Sequence, residues 1–174
     1  AVIAIENTRL FEAEQQRTAE LTESLEQQTA TSEVLQVISS SPGDLEPVFT
    51  TILENAAGIC DAKFGNVYLW DGDAFRLVAA HNTPIAFAES RKRAPFRPRP
   101  SHPFSRMVAT KQVIHVTDAA ALPAYIEERD PQIVEPVELG GVRTCLAVPM
   151  LKEDNLIGAL IVYRQEVRPF KDKQ

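Results

Sequence analysis

Two apolar runs separated by a short polar stretch constrain the fold of this chain more than any other feature of its sequence. The runs span residues 144–151 and 156–163, and the four polar residues 152–155 predict a turn and therefore an antiparallel hairpin. Side chains alternate between the two faces of a strand, and from 145 to 151 both the odd-numbered and the even-numbered residues are apolar. Such a strand needs a packed layer on each side. We therefore place this hairpin at the centre of an α/β/α sandwich, an α/β fold of the α+β type.

The length and charge of the chain exclude several classes of protein. Its 174 residues suit one domain with an appendage. The net charge of −6 and the pI near 5.1 exclude a general nucleic-acid-binding protein, because phosphate contacts need concentrated Lys and Arg. No stretch approaches the roughly 20 apolar residues of a membrane helix, and the start of the chain lacks a signal-peptide pattern. We expect a cytoplasmic protein with neither nucleic acid nor a membrane as partner.

Residues 1–40 differ in composition from the rest of the chain. They contain no Pro or Gly and carry seven acidic residues against two basic ones, so they predict one long helix. Apolar and polar residues share a seam with spacings of three and four. The apolar positions are Phe11, Leu21, Leu25 and Leu35, and the polar ones are Glu14, Thr18, Gln28 and Ser32. Two interpretations are open: a solvated linker helix, or a weak parallel coiled coil that shifts between packings in a signalling dimer.

The remainder alternates between strand and helix patterns. The SSSPGD stretch at 39–44 breaks the first helix, and Asp44 caps the next one. The connection over 83–111 contains five prolines, so we expect a long loop that acts as a binding lid, with one short helix from Pro103. The other predicted elements are a helix over 45–60, strands over 66–70, 75–81 and 112–116, and short helices capped by Asp118 and Asp130. Together with the hairpin, the strands predict an antiparallel sheet of five or six.

A basic segment stands out in this acidic chain. Residues 90–106 contain no acidic residue and six basic ones, Arg91, Lys92, Arg93, Arg97, Arg99 and Arg106. One interpretation is functional: Arg91, Arg93 and Arg97 form an anion-attracting rim over a ligand pocket, or the segment docks an acidic helix of a partner. The other is a Pro-rich loop that is charged to stay soluble. Both remain open.

No residue pattern predicts an active site or a metal site. His81, His102 and His115 are the only histidines, and neither an HExxH nor a CxxC spacing occurs, so we expect no metal and no haem. Cys60 and Cys145 each lie within an apolar pattern and are expected to be buried thiols. A Ser-His-Asp, P-loop or Gly-rich signature is also missing. We therefore expect a non-catalytic chain without a cofactor.

Several segments resemble GAF domains, the small sensory modules of signalling proteins. A strand that ends in VPM, a charged turn and the strand LIGALIVY resemble the last hairpin of that family. The similarity extends upstream through ICDAKFGNVYLWDGDAFRLVAAHN and MVATKQVIHVTD and covers residues 33–170. SPGDLEPVFTTILENA and ELGGVRT resemble the GAF modules of bacterial multidomain sensor histidine kinases. The resemblance implies a GAF-like sandwich within a two-component histidine kinase.

The same resemblance bears on the ligand. The chain has no counterpart of the Asn-Lys-Phe-Asp-Glu set of cyclic-nucleotide-binding members, and Leu146 follows Cys145 where bilin-carrying members have histidine after cysteine. Two cysteines also do not match the pattern of GAF-like methionine sulfoxide reductases. A GAF pocket lies between the sheet and the long connection. The pocket candidates that follow from this are Tyr68, Trp70, Phe104, Met107 and His115.

The resemblance implies a sensory module that binds an unidentified small ligand or a partner and relays its state through the N-terminal helix. Two alternatives are open: a structural dimerisation module with a vestigial pocket, and a small thiol reductase. The first residues resemble the closing helix of a preceding GAF domain, and the chain stops where its own closing helix is due. We expect a linker helix over 1–40, a sensory domain over 41–174 without its closing helix, and a homodimer formed through residues 1–38.

Overall fold

The structure, a computed structural model, describes residues 8, 9, 11–22, 25 and 45–171. The chain divides into two units, Ala1–Leu45 and Glu46–Gln174. The predicted break at 39–44 and the Asp44 cap lie outside the described residues. So do Leu35 and the polar seam positions Gln28 and Ser32.

The first unit contains a helix, α1, described at residues 8–9, 11–22 and 25. The hydroxyl groups of Thr18 and Thr22 donate 2.8 Å hydrogen bonds to backbone carbonyls one turn earlier. Phe11 and Leu21, two apolar positions of the predicted seam, are 62% and 64% exposed. The helix thus presents large apolar side chains on its surface.

The second unit is built on a five-stranded sheet in which every pairing is antiparallel. The strands are β1 (Phe64–Trp70), β2 (Phe75–His81), β3 (Ile114–Val116), β4 (Thr144–Lys152) and β5 (Asn155–Arg164), in the spatial order β2-β1-β5-β4-β3. The predicted strands and the antiparallel sheet are confirmed, with five strands. Among the described residues, no helix is both long enough and apolar enough to cross a membrane.

Helices lie on both faces of the sheet. Helix α2 (Glu46–Ile59) packs on one face, where its buried Leu53 meets Val67 of β1 and Ala79 of β2. The opposite face carries α3 (Ile85–Arg93), α4 (Pro103–Thr110), a 3₁₀ turn at Ala119–Ala121, α5 (Pro123–Ile126) and α6 (Pro131–Glu138), which we call the covering helices. The predicted layers above and below the sheet are therefore present.

The central strand β5 is buried on both faces, as its sequence predicts. Ala159, Ile161 and Tyr163 point into the core beneath the covering helices. Leu160 and Val162 point into the core beneath α2. Alternation along one strand therefore supplies both halves of the core.

Two local predictions are wrong in detail. The hairpin turn contains only Glu153 and Asp154, not four residues, and both adopt positive φ (49° and 63°), as a two-residue type I′ turn requires. The connection over 83–111 is not an open loop up to Pro103, because residues 85–93 form α3. Only Phe87 and Arg91 of this helix are buried, so its sequence lacks the apolar period that identifies a helix.

The segment after β5 is held in place by Arg164, whose side chain is buried. Its guanidinium group lies 4.1 Å from the centre of the Phe170 ring. It donates to four backbone carbonyls, those of Cys60 (2.7 Å), Asp61 (3.2 Å), Arg168 (2.6 Å) and Pro169 (3.1 Å). The five fixed donors of an arginine make this possible, and they tie the segment to the end of α2.

Gly158 is required where β5 crosses β1. A Cβ atom there would lie 2.3 Å from the carbonyl oxygen of Tyr68 and 2.5 Å from the Cε atom of Met150. We expect Gly158→Ala to lower the free energy of unfolding by about 3 kcal/mol, because backbone must move to relieve the overpacking. Urea denaturation measures the change.

Gly58, near the end of α2, provides the matched control, since nothing lies within 4 Å of an added Cβ. Gly58→Ala should raise the free energy of unfolding by about 0.5 to 1 kcal/mol, the difference in helix propensity. Equal effects of the two substitutions would contradict the crowding at Gly158.

Candidate ligand-binding site

A cavity of about 70 Å³ lies between the sheet and the covering helices. Its walls are mainly apolar, with Phe87 and Phe96 on one side and Ile161 on the sheet. The polar groups that line it are few: Asn66, Tyr68, Arg91, His102, Gln132 and Tyr163. A mostly apolar pocket with a small number of placed polar groups is the usual form of a small-molecule site.

Arg91, in the last turn of α3, is the charged residue of this site, and only 8% of it is exposed. Its Nη2 atom donates to the backbone carbonyl of Gln132 over 3.0 Å, and its Nη1 atom lies 3.8 Å from the Oε2 atom of Glu135. The centres of the Phe96 and Phe87 rings are 4.8 and 5.4 Å from the guanidinium carbon. Its Nε atom is buried and has no hydrogen-bond partner in the described part of the chain. The guanidinium is therefore well positioned but incompletely satisfied.

Tyr68 supplies a second polar group from β1. Burial raises the pKa of its hydroxyl to about 12, against the opposing effect of the nearby Arg91 charge. The hydroxyl makes no hydrogen bond within the described ranges. The Tyr163 hydroxyl, by contrast, donates to the Oγ1 atom of Thr83 (3.3 Å), which donates to the Oδ1 atom of Asn66 (2.8 Å). Tyr68 thus stays protonated at neutral pH and keeps an unused donor.

His102 closes the site at the start of α4. Its Nδ1 atom accepts a 3.0 Å hydrogen bond from the backbone N–H of Phe104, which caps the helix. Burial and, to a smaller extent, the Arg91 charge together lower the pKa of His102 to about 4, against the opposing effects of Asp130 and a hydrogen bond to the Gln132 backbone. His102 is therefore neutral at pH 7, with its proton on Nε2.

The two thiols do not form a reactive pair. Cys145 lines the cavity, and burial raises the pKa of its thiol to about 12. Cys60 is buried on the α2 side of the sheet, and burial also raises its pKa, although Arg164 opposes the shift. A reductase nucleophile needs a lowered pKa and access to solvent. Neither cysteine provides both.

The structure brings two of the five pocket candidates to the cavity. Tyr68 and Phe104 line it. Trp70 packs in the aromatic core at the end of β1, and Met107 is fully buried in α4. His115 is exposed in β3, outside the cavity. Whether any of the five contacts a ligand stays a prediction.

The three basic candidates are not brought together. Arg91 lines the cavity, Arg93 is exposed at the end of α3, and Arg97 is 69% exposed and forms an ion pair with Asp73. Of the set Arg91, Arg93 and Arg97, one residue is part of the cavity wall. Whether the three form an anion-attracting rim over the pocket stays a prediction.

Sequence reasoning missed four polar residues of the cavity: Asn66, His102, Gln132 and Tyr163. For His102 a signal was present, because His-Pro before an apolar segment places the histidine at a helix N-cap and the proline at the first helical position. Asn66 and Gln132 carried no comparable signal. Asn66 is the single polar side chain of a strand that otherwise reads as core, and Gln132 is one of three polar residues of α6, with Glu135 and Glu138.

One protein family matches most of this chain. The profile of the GAF domain matches residues 44–174. No curated protein sequence matches the chain.

Solved structures of low sequence identity share the fold. The GAF domain of a phosphoenolpyruvate-protein phosphotransferase (ptsP) from Coxiella burnetii is 16% identical, with 86% of this chain and 83% of that chain covered and a TM-score of 0.60. A GAF domain/HD domain protein from Geobacter sulfurreducens is 21% identical (80% and 80% covered, TM-score 0.57). A domain of a putative two-component sensor histidine kinase protein from Sinorhizobium meliloti 1021 is 20% identical, with 73% of this chain and 77% of that chain covered and a TM-score of 0.53.

The lowered pKa of His102 predicts a loss of stability in acid. Since the folded-state pKa is about 4 and the unfolded value about 6.5, the unfolded chain binds a proton first as the pH falls. The stabilisation is complete above pH 6.5 and is lost between pH 6.5 and 4, by up to about 3 kcal/mol. Urea denaturation at pH 7 and pH 4.5 measures the difference.

His102→Asn is the matched variant, because asparagine also accepts the N-cap hydrogen bond but does not titrate. It should lose less stability than the wild type between the two pH values, whereas His81→Asn, outside the cavity, should keep the wild-type dependence. A wild-type pH dependence in His102→Asn would contradict the assignment.

Proposed function

The chain belongs to the GAF domain family, and we propose that it binds a small ligand in the cavity beneath the covering helices and relays the bound state through α1. GAF domains are sensory or regulatory modules of signalling proteins and are generally not catalytic. The observation that carries the proposal is the cavity itself, with its buried Arg91 among aromatic side chains. An empty structural module has no need of a buried charge that lacks part of its hydrogen bonding.

The relay follows from where the cavity lies. A ligand there contacts both the sheet and the covering helices, so it favours the arrangement in which these helices are closed over it. The shift can be no larger than the difference in affinity of the ligand for the two arrangements. The N-terminal helix then transmits the bias, as a change in how two copies of α1 pack.

We place the module in the cytoplasmic part of a two-component sensor histidine kinase. The support is the likeness to the domain from the putative sensor kinase of Sinorhizobium meliloti and the resemblance of SPGDLEPVFTTILENA and ELGGVRT to the GAF modules of such kinases. A structural dimerisation module with a vestigial pocket is the alternative. The raised pKa values of both thiols weigh against a thiol reductase.

Native mass spectrometry of the full chain tests the ligand-binding function. We expect a small molecule that copurifies with the wild type and is lost from Ala119→Leu, because Ala119 is buried in the cavity wall and the larger side chain occupies the space. Ala121→Leu, two residues on and exposed, is the control and should retain the ligand. No bound molecule in the wild type, even after incubation with a small-molecule cell extract, would favour the vestigial pocket.

The proposed homodimer has its own test. Phe11→Glu combined with Leu21→Glu places two charges on the apolar seam of α1 and should convert a dimer into a monomer. Gln16→Glu combined with Thr22→Glu adds the same two charges to the same helix outside the seam and should leave the dimer intact. Light scattering on the full chain reports the mass, and a monomeric wild type would rule the dimer out.

A further inference from the structure

We infer that the cavity recognises a small oxyanion, a carboxylate or an inorganic anion of similar size, through the guanidinium group of Arg91 and the hydroxyl of Tyr68. The inference rests on the proposed ligand-binding function and names the chemical class of the ligand. It also separates Arg91 from the other basic residues of the 90–106 segment, which do not reach the cavity.

The first step is the unused donor of Arg91. A buried donor left without a partner destabilises the folded state, and a charged donor does so more strongly. The guanidinium cannot turn freely to find another acceptor, because Gln132 holds Nη2 and the rings of Phe87 and Phe96 lie against it. The guanidinium group is therefore fixed in the cavity wall, with an Nε–H group for which the described residues supply no acceptor.

The second step is the charge balance around the cavity. No carboxylate is among the described residues that line it. The nearest one to Arg91 is Glu135, at 3.8 Å, which is 38% exposed and also accepts a hydrogen bond from Ser90. Contact with solvent weakens its compensation of the buried cation. An anion in the cavity would pair with Arg91 where water does not screen the attraction.

The third step is the protonation of the neighbouring groups. Tyr68 keeps its proton, since burial raises its pKa to about 12, and therefore donates to an anion without repelling it. His102 is neutral because burial lowers its pKa to about 4, so it neither adds a positive charge nor requires a counterion. Among the described residues that line the cavity, Arg91 alone carries a charge. This charge selects an anion as the ligand.

The volume limits the size of the ligand. A cavity of about 70 Å³ suits a ligand of a few non-hydrogen atoms, such as acetate or nitrate with four each, better than a nucleotide or a linear tetrapyrrole.

Titration of the full chain with sodium acetate and with sodium nitrate tests the inference, at an ionic strength held constant with sodium gluconate, which is too large for the cavity. Acetamide is the neutral isostere of acetate and should bind at least tenfold more weakly. Arg91→Gln should weaken anion binding at least tenfold, and Tyr68→Phe at least threefold. Arg93→Gln, on the same helix but exposed, is the matched control and should change affinity less than twofold.

An NMR measurement on the wild type tests the inference even if a variant fails to fold. In nitrogen-15 NMR spectra, the Nε–H signal of Arg91 should shift on addition of the anion that binds, because an anion paired with the guanidinium group changes the electronic environment of its nitrogen atoms. Preference for acetate would assign a carboxylate ligand, and preference for nitrate an inorganic oxyanion; either supports the inference. An unmoved Arg91 signal at saturation, equal binding of acetamide, or unchanged affinity in a folded Arg91→Gln would overturn it.

The two proposals fail in different ways. If a neutral molecule copurifies with the wild type, is lost from Ala119→Leu, and neither acetate nor nitrate binds, the anion inference is wrong and the ligand-binding function stands. If nothing binds in the cavity of the wild type, both are wrong.

Discussion

The second unit depends on the burial of β5 on both faces. This strand is hydrogen-bonded to β1 on one side and β4 on the other, and it contributes to the cores above and below the sheet. Gly158 lets β5 approach the backbone of β1 closely. Because Ile161 and Tyr163 line the cavity while Val162 packs toward α2, the cavity and the α2 layer share one strand. A substitution on either face of β5 therefore acts on the backbone that both layers share.

The buried cation links stability to the proposed function. Taking a guanidinium out of water costs several kcal/mol. The Gln132 carbonyl, the Glu135 carboxylate and the rings of Phe87 and Phe96 offset part of this cost. The unmatched Nε atom shows that the compensation is incomplete. Departures of this kind from full satisfaction are expected where a protein binds a ligand.

The covering helices are short and depend on local caps. His102, Asp118 and Asp130 each accept a hydrogen bond from a backbone N–H in the first turn of the element that follows. Asp118 also forms a two-point ion pair with Arg143, at 2.8 and 2.9 Å, before the start of β4. Helices of four to nine residues are not stable alone, so they stay in place through these caps and through packing on the sheet. Segments held in this way open at a lower free energy than the core, as a ligand-responsive cover requires.

The sequence by itself determined the elements whose signals are local. Alternation along β4 and β5, the apolar stripe of α2 and the caps at Asp118 and Asp130 each involve residues within a few positions of one another, and the structure agrees with them. The resemblance to GAF domains likewise led to the correct fold. Tertiary structure alone decided that residues 85–93 form a helix, because their apolar period is too weak to show it and packing on the sheet overrides that weakness.

Only the tertiary structure decided which residues meet in the cavity. Arg91 was one of three predicted rim residues with nothing in the sequence to separate it from Arg93 and Arg97, and its burial follows from the rings of Phe87 and Phe96 and the carbonyl of Gln132. The neutral state of His102 likewise depends on burial among residues distant in the chain. A sequence records which side chains favour burial, whereas the pKa and the hydrogen-bond partners of a buried polar group depend on neighbours that long-range packing supplies.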